Sequence, residues 1–357
     1  MPARRAPGWS ARARISRARA LPPFPTPSPE RTTNMRMPLA LLLSAAALAA
    51  ATPLAAQQAL PEPRVPIANP LPTVADLFAC LRGKGTFTSA HRGGVGPGYP
   101  ENALETAAHT LARVPILFET DVHRSRDGVL VLMHDDTLDR TSTGTGRIRD
   151  QDWSALRQLQ LKDDDGKVTP FHMPRLSDAI AWTNNRALML AEIKESDTLD
   201  QIVGEIRQAH AQSHVMLLVN SLDDAVRVQK LDPTITMTLE VTDLAELDRY
   251  VAAGIDLKHV IAWNGIGKRD RALWKAIHDR GLTLAYGTLW YVDSTVENLG
   301  LKGIYAELAT DGVDLLATDR PVEAEAEMAQ VRPIEPALQQ CKAVAPARAV
   351  ALAQGRQ

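Results

Sequence analysis

Eight short apolar runs, separated by stretches of polar or helical character, recur between residues 86 and 318 of this chain. They are Thr86–Ala90, Ile116–Val122, Leu188–Ile193, Val215–Val219, Ile235–Leu239, His259–Trp263, Leu282–Tyr286 and Leu315–Thr318. Each is four to seven residues long, the length of a strand rather than of a helix. Between them, residues 102–113, 176–183, 199–210, 223–231, 243–253 and 270–280 carry helical patterning. Such alternation predicts parallel strands joined by crossover helices. Eight such units in about 250 residues fit one closed architecture, the (β/α)8 TIM barrel, expected here over residues 79–331.

One stretch breaks the alternation. Residues 136–173, after the second strand region, are polar and too long for an ordinary connection. They predict a small insertion on the barrel's C-terminal face. Within it, Asp163-Asp164-Asp165-Gly166 lacks the alternating ligands and terminal Glu of a calcium loop, so it reads as a solvated turn.

In such barrels the reactive groups stand at the C-terminal ends of the strands. His91 and Arg92 end the first strand, Glu119 and Asp121 the second, and Glu192 and Lys194 the third, while His134 follows the apolar run 129–133. Side chains alternate faces along a strand, so Glu119 and Asp121 point the same way and repel unless a cation lies between them. With Glu192 they form an oxygen-only donor set, which suits one divalent cation of the calcium or magnesium kind rather than zinc. Calcium, tolerant of irregular coordination, is slightly favoured. Histidine's near-neutral pKa suits His91 and His134 to proton transfer. Arg92 and Lys194 are the nearby cations suited to a phosphate. Asn102 and Glu105 have the spacing of a capping box, which would give Asn102 the task of starting a helix. The alternative places Glu101 and Asn102 behind the metal carboxylates. The other seven histidines carry no assigned chemistry.

The ordered set His91-Arg92-Gly93, Pro100-Glu101-Asn102, Glu119-Thr120-Asp121, Asp127-Gly128 followed by His134-Asp135, and Glu192-Ile193-Lys194 resembles the glycerophosphodiester phosphodiesterase family. The resemblance runs roughly from His91 to Pro321. It implies a (β/α)8 barrel and metal-dependent cleavage of a small-molecule phosphodiester to an alcohol and glycerol phosphate. It also implies that Glu119, Asp121 and Glu192 hold the metal, and that His91 and His134 are the general acid and base. Two positions depart from the family. Ala103 stands where Thr usually follows the PEN motif, and Gly287 stands where the seventh strand usually ends in the Trp of a Trp-Thr pair lining the head-group pocket. Alternatives are a lysophospholipase D-like enzyme, which would need an apolar rim near Trp290, and a non-catalytic module binding phosphate esters or cell-wall polymers.

Residues 1–34 are Arg-, Pro- and Ala-rich and read as a disordered extension or as sequence upstream of the true start. Residues 35–56, with a basic start, an apolar centre and small residues at the end, predict a cleaved secretory signal peptide, hence a secreted or periplasmic protein with no stable membrane span. Residues 1–36 hold eight Arg and one Glu, net +7, and residues 37–56 hold no charge. Subtracting +7 from the whole-chain −2 leaves −9 for residues 57–357, which argues against nucleic acid as a partner. Residues 57–78 read as a Pro-rich linker and 332–357 as an Ala- and Pro-rich tail. Cys80 precedes the first strand and Cys341 follows the last. Barrel closure brings those ends together, so an exported protein is expected to pair them. The sequence leaves the oligomeric state open.

Overall fold

The computed structural model describes residues 59–69 and 71–343. The expected extension and signal segment, residues 1–56, lie outside the described residues. In chain order the elements are α1 (Val74–Leu81), β1 (Phe87–Ala90), α2 (Leu104–Leu111), β2 (Ile116–Arg124), β3 (Leu130–Leu132), α3 (Trp153–Leu156), β4 (Gln160–Lys162) and β5 (Val168–His172). There follow α4 (Leu176–Thr183), β6 (Leu188–Ile193), α5 (Leu199–Gln208), β7 (Val215–Leu218), α6 (Leu222–Leu231), β8 (Met237–Glu240), α7 (Leu244–Ala252) and β9 (Val260–Ile266). The last are α8 (Arg271–Asp279), β10 (Thr283–Gly287), α9 (Val292–Leu299), α10 (Ile304–Thr310), β11 (Leu315–Thr318), α11 (Pro321–Met328) and α12 (Ile334–Ala343).

Strands β1, β2, β6, β7, β8, β9, β10 and β11 pair in parallel, and β1 contacts both β2 and β11. The sheet therefore closes on itself as a (β/α)8 TIM barrel, and all eight expected strands are its staves. Alternation along each stave sorts the side chains. Phe118 and Val122 of β2 face outward and join the apolar layer shared with the helices, so Glu119 and Asp121 face the lumen. At the N-terminal end the lumen is filled by Phe87, Leu117, Leu188, Met216 and Ile261.

Two boundaries differ from the sequence expectation. Helix α1 begins inside the supposed linker, and the supposed tail contains α12; both pack against the lumen's N-terminal plug through Leu77, Phe78, Ile334 and Leu338. Thr73 caps α1 by accepting a hydrogen bond from the Asp76 N–H at 3.1 Å. Upstream, Ile67 is buried in the same plug. Cys80 of α1 and Cys341 of α12 are joined by a disulfide across 261 residues of sequence.

The expected insertion is present and more structured than a solvated excursion. It holds α3 and the β4–β5 hairpin, and Leu138, Ile148, Leu156 and Leu161 make a satellite core with Val131, Met133 and Met173. Strand β3 is not a barrel stave. It runs antiparallel to the end of β2, with Val122 opposite Leu132, and so turns the chain back to deliver His134 to the rim. Asp163 closes a tight turn, accepting from the N–H groups of Asp165, Lys167 and Gly98 at 3.1, 2.9 and 2.8 Å.

Candidate active site

The register of β2 against β6 sets Asp121 directly beside Glu192, with Glu119 two residues back on the same face. Ligand oxygens of Glu119, Asp121 and Glu192 lie within 4.8 Å of one another. Burial, and then the charge of Asp121, push the Glu119 carboxyl up to about 7. Asp121 is held below its usual range despite burial, chiefly by the Lys194 ammonium and by hydrogen bonds from Lys194 and Asn102. Lys194 Nζ stands 2.7 Å from Asp121 and 2.9 Å from Glu192. Three clustered acids with one ammonium among them are a donor set that a divalent cation fits: all oxygen, with Glu119 and Asp121 buried and Glu192 half-buried, and more carboxylates than the one ammonium neutralises.

Arg92 follows β1 in a tight turn with φ of +50°. A non-glycine residue there is strained by an order of 1–3 kcal/mol, and the contacts it makes offset that strain. Its N–H donates to Glu119 Oε2 at 2.8 Å and its Nη1 donates to Glu101 Oε2 at 2.8 Å. Asn102 also has positive φ, +61°. The capping box expected for it does not form: the N-cap of α2 is Ala103, without a side-chain cap. Asn102 is instead buried against β2. Its Oδ1 accepts from Thr120 Oγ1 at 2.6 Å and from the Asp121 N–H at 3.0 Å, and its Nδ2 donates to Asp121 Oδ2 at 2.8 Å. The side chain thus aims the Asp121 carboxylate. Glu101 is clamped between two guanidiniums, Arg92 and Arg140, rather than abutting the acid cluster.

His91 and His134 line one cavity of about 260 Å³ with Arg92, Glu119, Glu192 and Lys194. His91 Nδ1 lies 2.7 Å from Asp319 Oδ1, just past β11. Burial alone would lower the His91 pKa, but the bond to Asp319 and the charges of Glu119 and Asp319 outweigh it, and the net shift is upward. His134 Nδ1 lies 2.7 Å from Asp135 Oδ1, and Asp135 is held low first of all by its bond from Arg140. Each histidine is therefore oriented by its own carboxylate. Three supporting groups have no signal in the motif spacing: Asp319, Arg140 of the insertion, and His123, whose Nε2 lies 3.0 Å from the His134 carbonyl oxygen. Asp319 lies inside the span of the family resemblance, which runs to Pro321, without a role of its own there.

The sequence model of the glycerophosphoryl diester phosphodiesterase family matches residues 91–322, the span that carries every group above. The chain belongs to that family. A crystal structure of a family member from Parabacteroides distasonis superposes with a TM-score of 0.66 at 30% identity, covering 74% of this chain and 94% of that one. Human glycerophosphodiester phosphodiesterase 1 is 36% identical over 109 residues, 28% of this chain and 31% of the human protein, so that match spans about a third of the relative. The fold is also shared with an Oleispira antarctica phosphodiesterase in complex with the product sn-glycerol-3-phosphate, with a TM-score of 0.52 at 22% identity over 68% of this chain and 96% of that one. By family the protein is a phosphodiester hydrolase, and a small-molecule phosphodiester is the substrate class that fits it. Among the described residues no helix is long and apolar enough to cross a membrane.

Proposed function

We propose that this protein hydrolyses glycerophosphodiesters to an alcohol and glycerol phosphate, with one divalent cation and two proton-transferring histidines. The observation that carries the reading is the convergence of His91, His134, Glu119 and Glu192 on one cavity. Glu119, Asp121 and Glu192 would hold the cation, with calcium favoured over magnesium because it tolerates irregular oxygen coordination. When bound, it would supply positive charge against the phosphate oxygens.

One histidine takes the proton of the attacking oxygen, from water or from a neighbouring hydroxyl of the substrate; in the second case a cyclic phosphodiester forms first, and water then opens it by a second attack on phosphorus with the two proton transfers reversed. The new O–P bond forms as the bond from phosphorus to the leaving alkoxide breaks, and the other histidine gives that alkoxide a proton. Asp319 and Asp135 fix the ring orientations of His91 and His134. Arg92 and Lys194 line the cavity and offset the charge that builds on the phosphoryl oxygens. The Cys80–Cys341 disulfide supports export to an oxidising compartment, secreted or periplasmic.

A second reading, cleavage of lysophospholipids, is favoured by Trp290 and Tyr291, which stand 59% and 73% exposed after β10. The test is hydrolysis of glycerophosphocholine and of lysophosphatidylcholine by the purified protein and by His91→Ala and His134→Ala. Each substitution is expected to lower kcat by at least about 10²-fold with folding intact. Near-normal turnover in either variant rejects the histidine pair, and faster cleavage of the acylated substrate selects the second reading.

A further inference from the structure

The catalytic cavity is two-sided. The adjacent staves β1, β2 and β6, with His134 after β3, supply its charged and titratable groups, and the other five staves and the loop after β10 line it mainly with apolar side chains, among them Leu218, Trp263, Ala285, Leu289 and Leu315. Trp290 also lines the cavity but is 59% exposed, whereas Trp263 shares the lumen face of β9 with Ile261 by strand alternation, and two local features hold its ring. First, β9 bulges: Ala285 lies opposite Trp263 but Gly287 lies opposite Ile266, so one extra residue is accommodated around Asn264 and Gly265. Gly265 has φ of +76°, Asn264 Nδ2 donates to the Val241 carbonyl at 2.7 Å, and Trp274 Nε1 donates to Asn264 Oδ1 at 2.6 Å. These bonds pin the bulge. Second, a Cβ on Gly287 would come within 2.6 Å of Trp263 Cη2 and 2.8 Å of Ile266 Cγ1. The missing side chain at 287 is the space that the Trp263 ring occupies. The indole expected from the seventh stave has been replaced by one from the sixth.

Two lining residues of the same cavity have a buried polar atom without a hydrogen-bond partner among the described residues, Arg92 at Nε on the charged side and Ser89 at Oγ. Ser89 is 1% exposed, and its Oγ has no hydrogen-bond partner among the described residues. Thr238 also lines the cavity, and its hydroxyl makes only a 3.5 Å contact to the Leu217 carbonyl. These two are the hydroxyl side chains of the lining among the described residues.

We propose that Trp263, with Ser89 and Thr238, selects the alcohol on the apolar side of phosphorus, admitting a short alcohol such as glycerol, ethanolamine or choline. It rejects a polyhydroxylated ring such as inositol or a hexose. The proposal rests on the phosphodiesterase reading above. A buried hydroxyl that gives up water needs a partner, and two wall hydroxyls cannot serve a ring that carries five. Gly287 is a positioning residue that acts through Trp263.

The test compares kcat/KM for glycerophosphocholine and glycerophosphoinositol in the wild type, Trp263→Ala, Trp263→Phe and Ser89→Ala. The wild type is expected to prefer the choline ester by at least about tenfold. Trp263→Ala should erase most of that preference, Trp263→Phe should reduce it while keeping the fold, and Ser89→Ala should raise KM more than it lowers kcat. A wild type that prefers the inositol ester, or a preference unchanged within about twofold in both Trp263 variants, overturns the proposal. If the wild type hydrolysed neither ester, the phosphodiesterase reading would fall. The pocket would then be decided by binding alone: glycerol phosphate should quench tryptophan fluorescence in the wild type more than in Trp263→Phe, inositol phosphate should not, and equal quenching by both ligands would overturn the proposal.

Discussion

Asp319, just beyond the last stave, and His91, at the end of the first, meet across the barrel's seam with 2.7 Å between Oδ1 and Nδ1. The contact exists only because the sheet closes, since 228 residues separate the two in sequence. It orients the ring so that Nε2 is the atom left for chemistry, and it favours the imidazolium.

Replacing Asp319 with Asn keeps the shape and removes the charge. The His91 pKa, raised in the native protein, then falls. The limb of the pH–kcat/KM profile that His91 governs moves to lower pH, and kcat drops by at least about tenfold. A descending limb that moves marks His91 as the acid, and an ascending limb that moves marks it as the base. A profile superimposable on the wild type contradicts the role given to Asp319.

A second titration belongs to stability. Glu325 of α11 is buried and accepts a hydrogen bond from Thr88 Oγ1 at 3.0 Å, and burial pushes its carboxyl from 4.5 up to about 7. The native state therefore holds the proton more tightly than the unfolded chain. The resulting stabilisation is fully present below about pH 4.5 and is lost as pH rises towards 7, on the order of 1–3 kcal/mol. Glu325→Gln should abolish this slope, so that the Tm difference between variant and wild type changes between pH 4.5 and 7.5. A difference that stays constant across that window contradicts the assignment.

The disulfide offers a test of the division between the two ends of the barrel. Cys80 and Cys341 tie α1 to α12 at the N-terminal plug, away from the catalytic rim. Cys341→Ser should lose roughly 3–5 kcal/mol through the freed chain entropy of the unfolded state, read as a lowered Tm. The kcat of the folded variant should stay within about twofold of the wild type. An unchanged Tm, or a collapse of kcat below the Tm, would show that the plug and the rim are not independent in this way.

Much of this was legible because it is local. The strand runs are short and apolar enough that β6 and β11 coincide with the expected Leu188–Ile193 and Leu315–Thr318. The alternation of Phe118-Glu119-Thr120-Asp121-Val122 alone puts two acids on one face. Contacts made across long sequence separations were not legible. Asn102 has the local pattern of a cap, but its partners Thr120 and Asp121 are on a strand that pairs only in the folded barrel, and its left-handed backbone takes it out of the cap position. Arg140 sits in a polar insertion where nothing in the spacing separates it from the other arginines, yet it grips both Glu101 and Asp135. Trp263 shares the lumen face of β9 with Ile261 by simple alternation, but its role in the cavity depends on the space at Gly287, which no local pattern shows. Gly287 was visible as a departure, and the ring that fills its place was not.

The central claim is that the acid cluster of Glu119, Asp121 and Glu192 holds a divalent cation on which turnover depends. The direct measurement is glycerophosphocholine hydrolysis after exhaustive chelation, followed by titration with calcium or magnesium, in the wild type and in Glu192→Gln. The account predicts that chelation abolishes turnover and that added metal restores it. It also predicts that Glu192→Gln needs at least about tenfold more metal for half-maximal activity. Undiminished hydrolysis in the chelator, or an unchanged metal requirement in a folded Glu192→Gln, would contradict it.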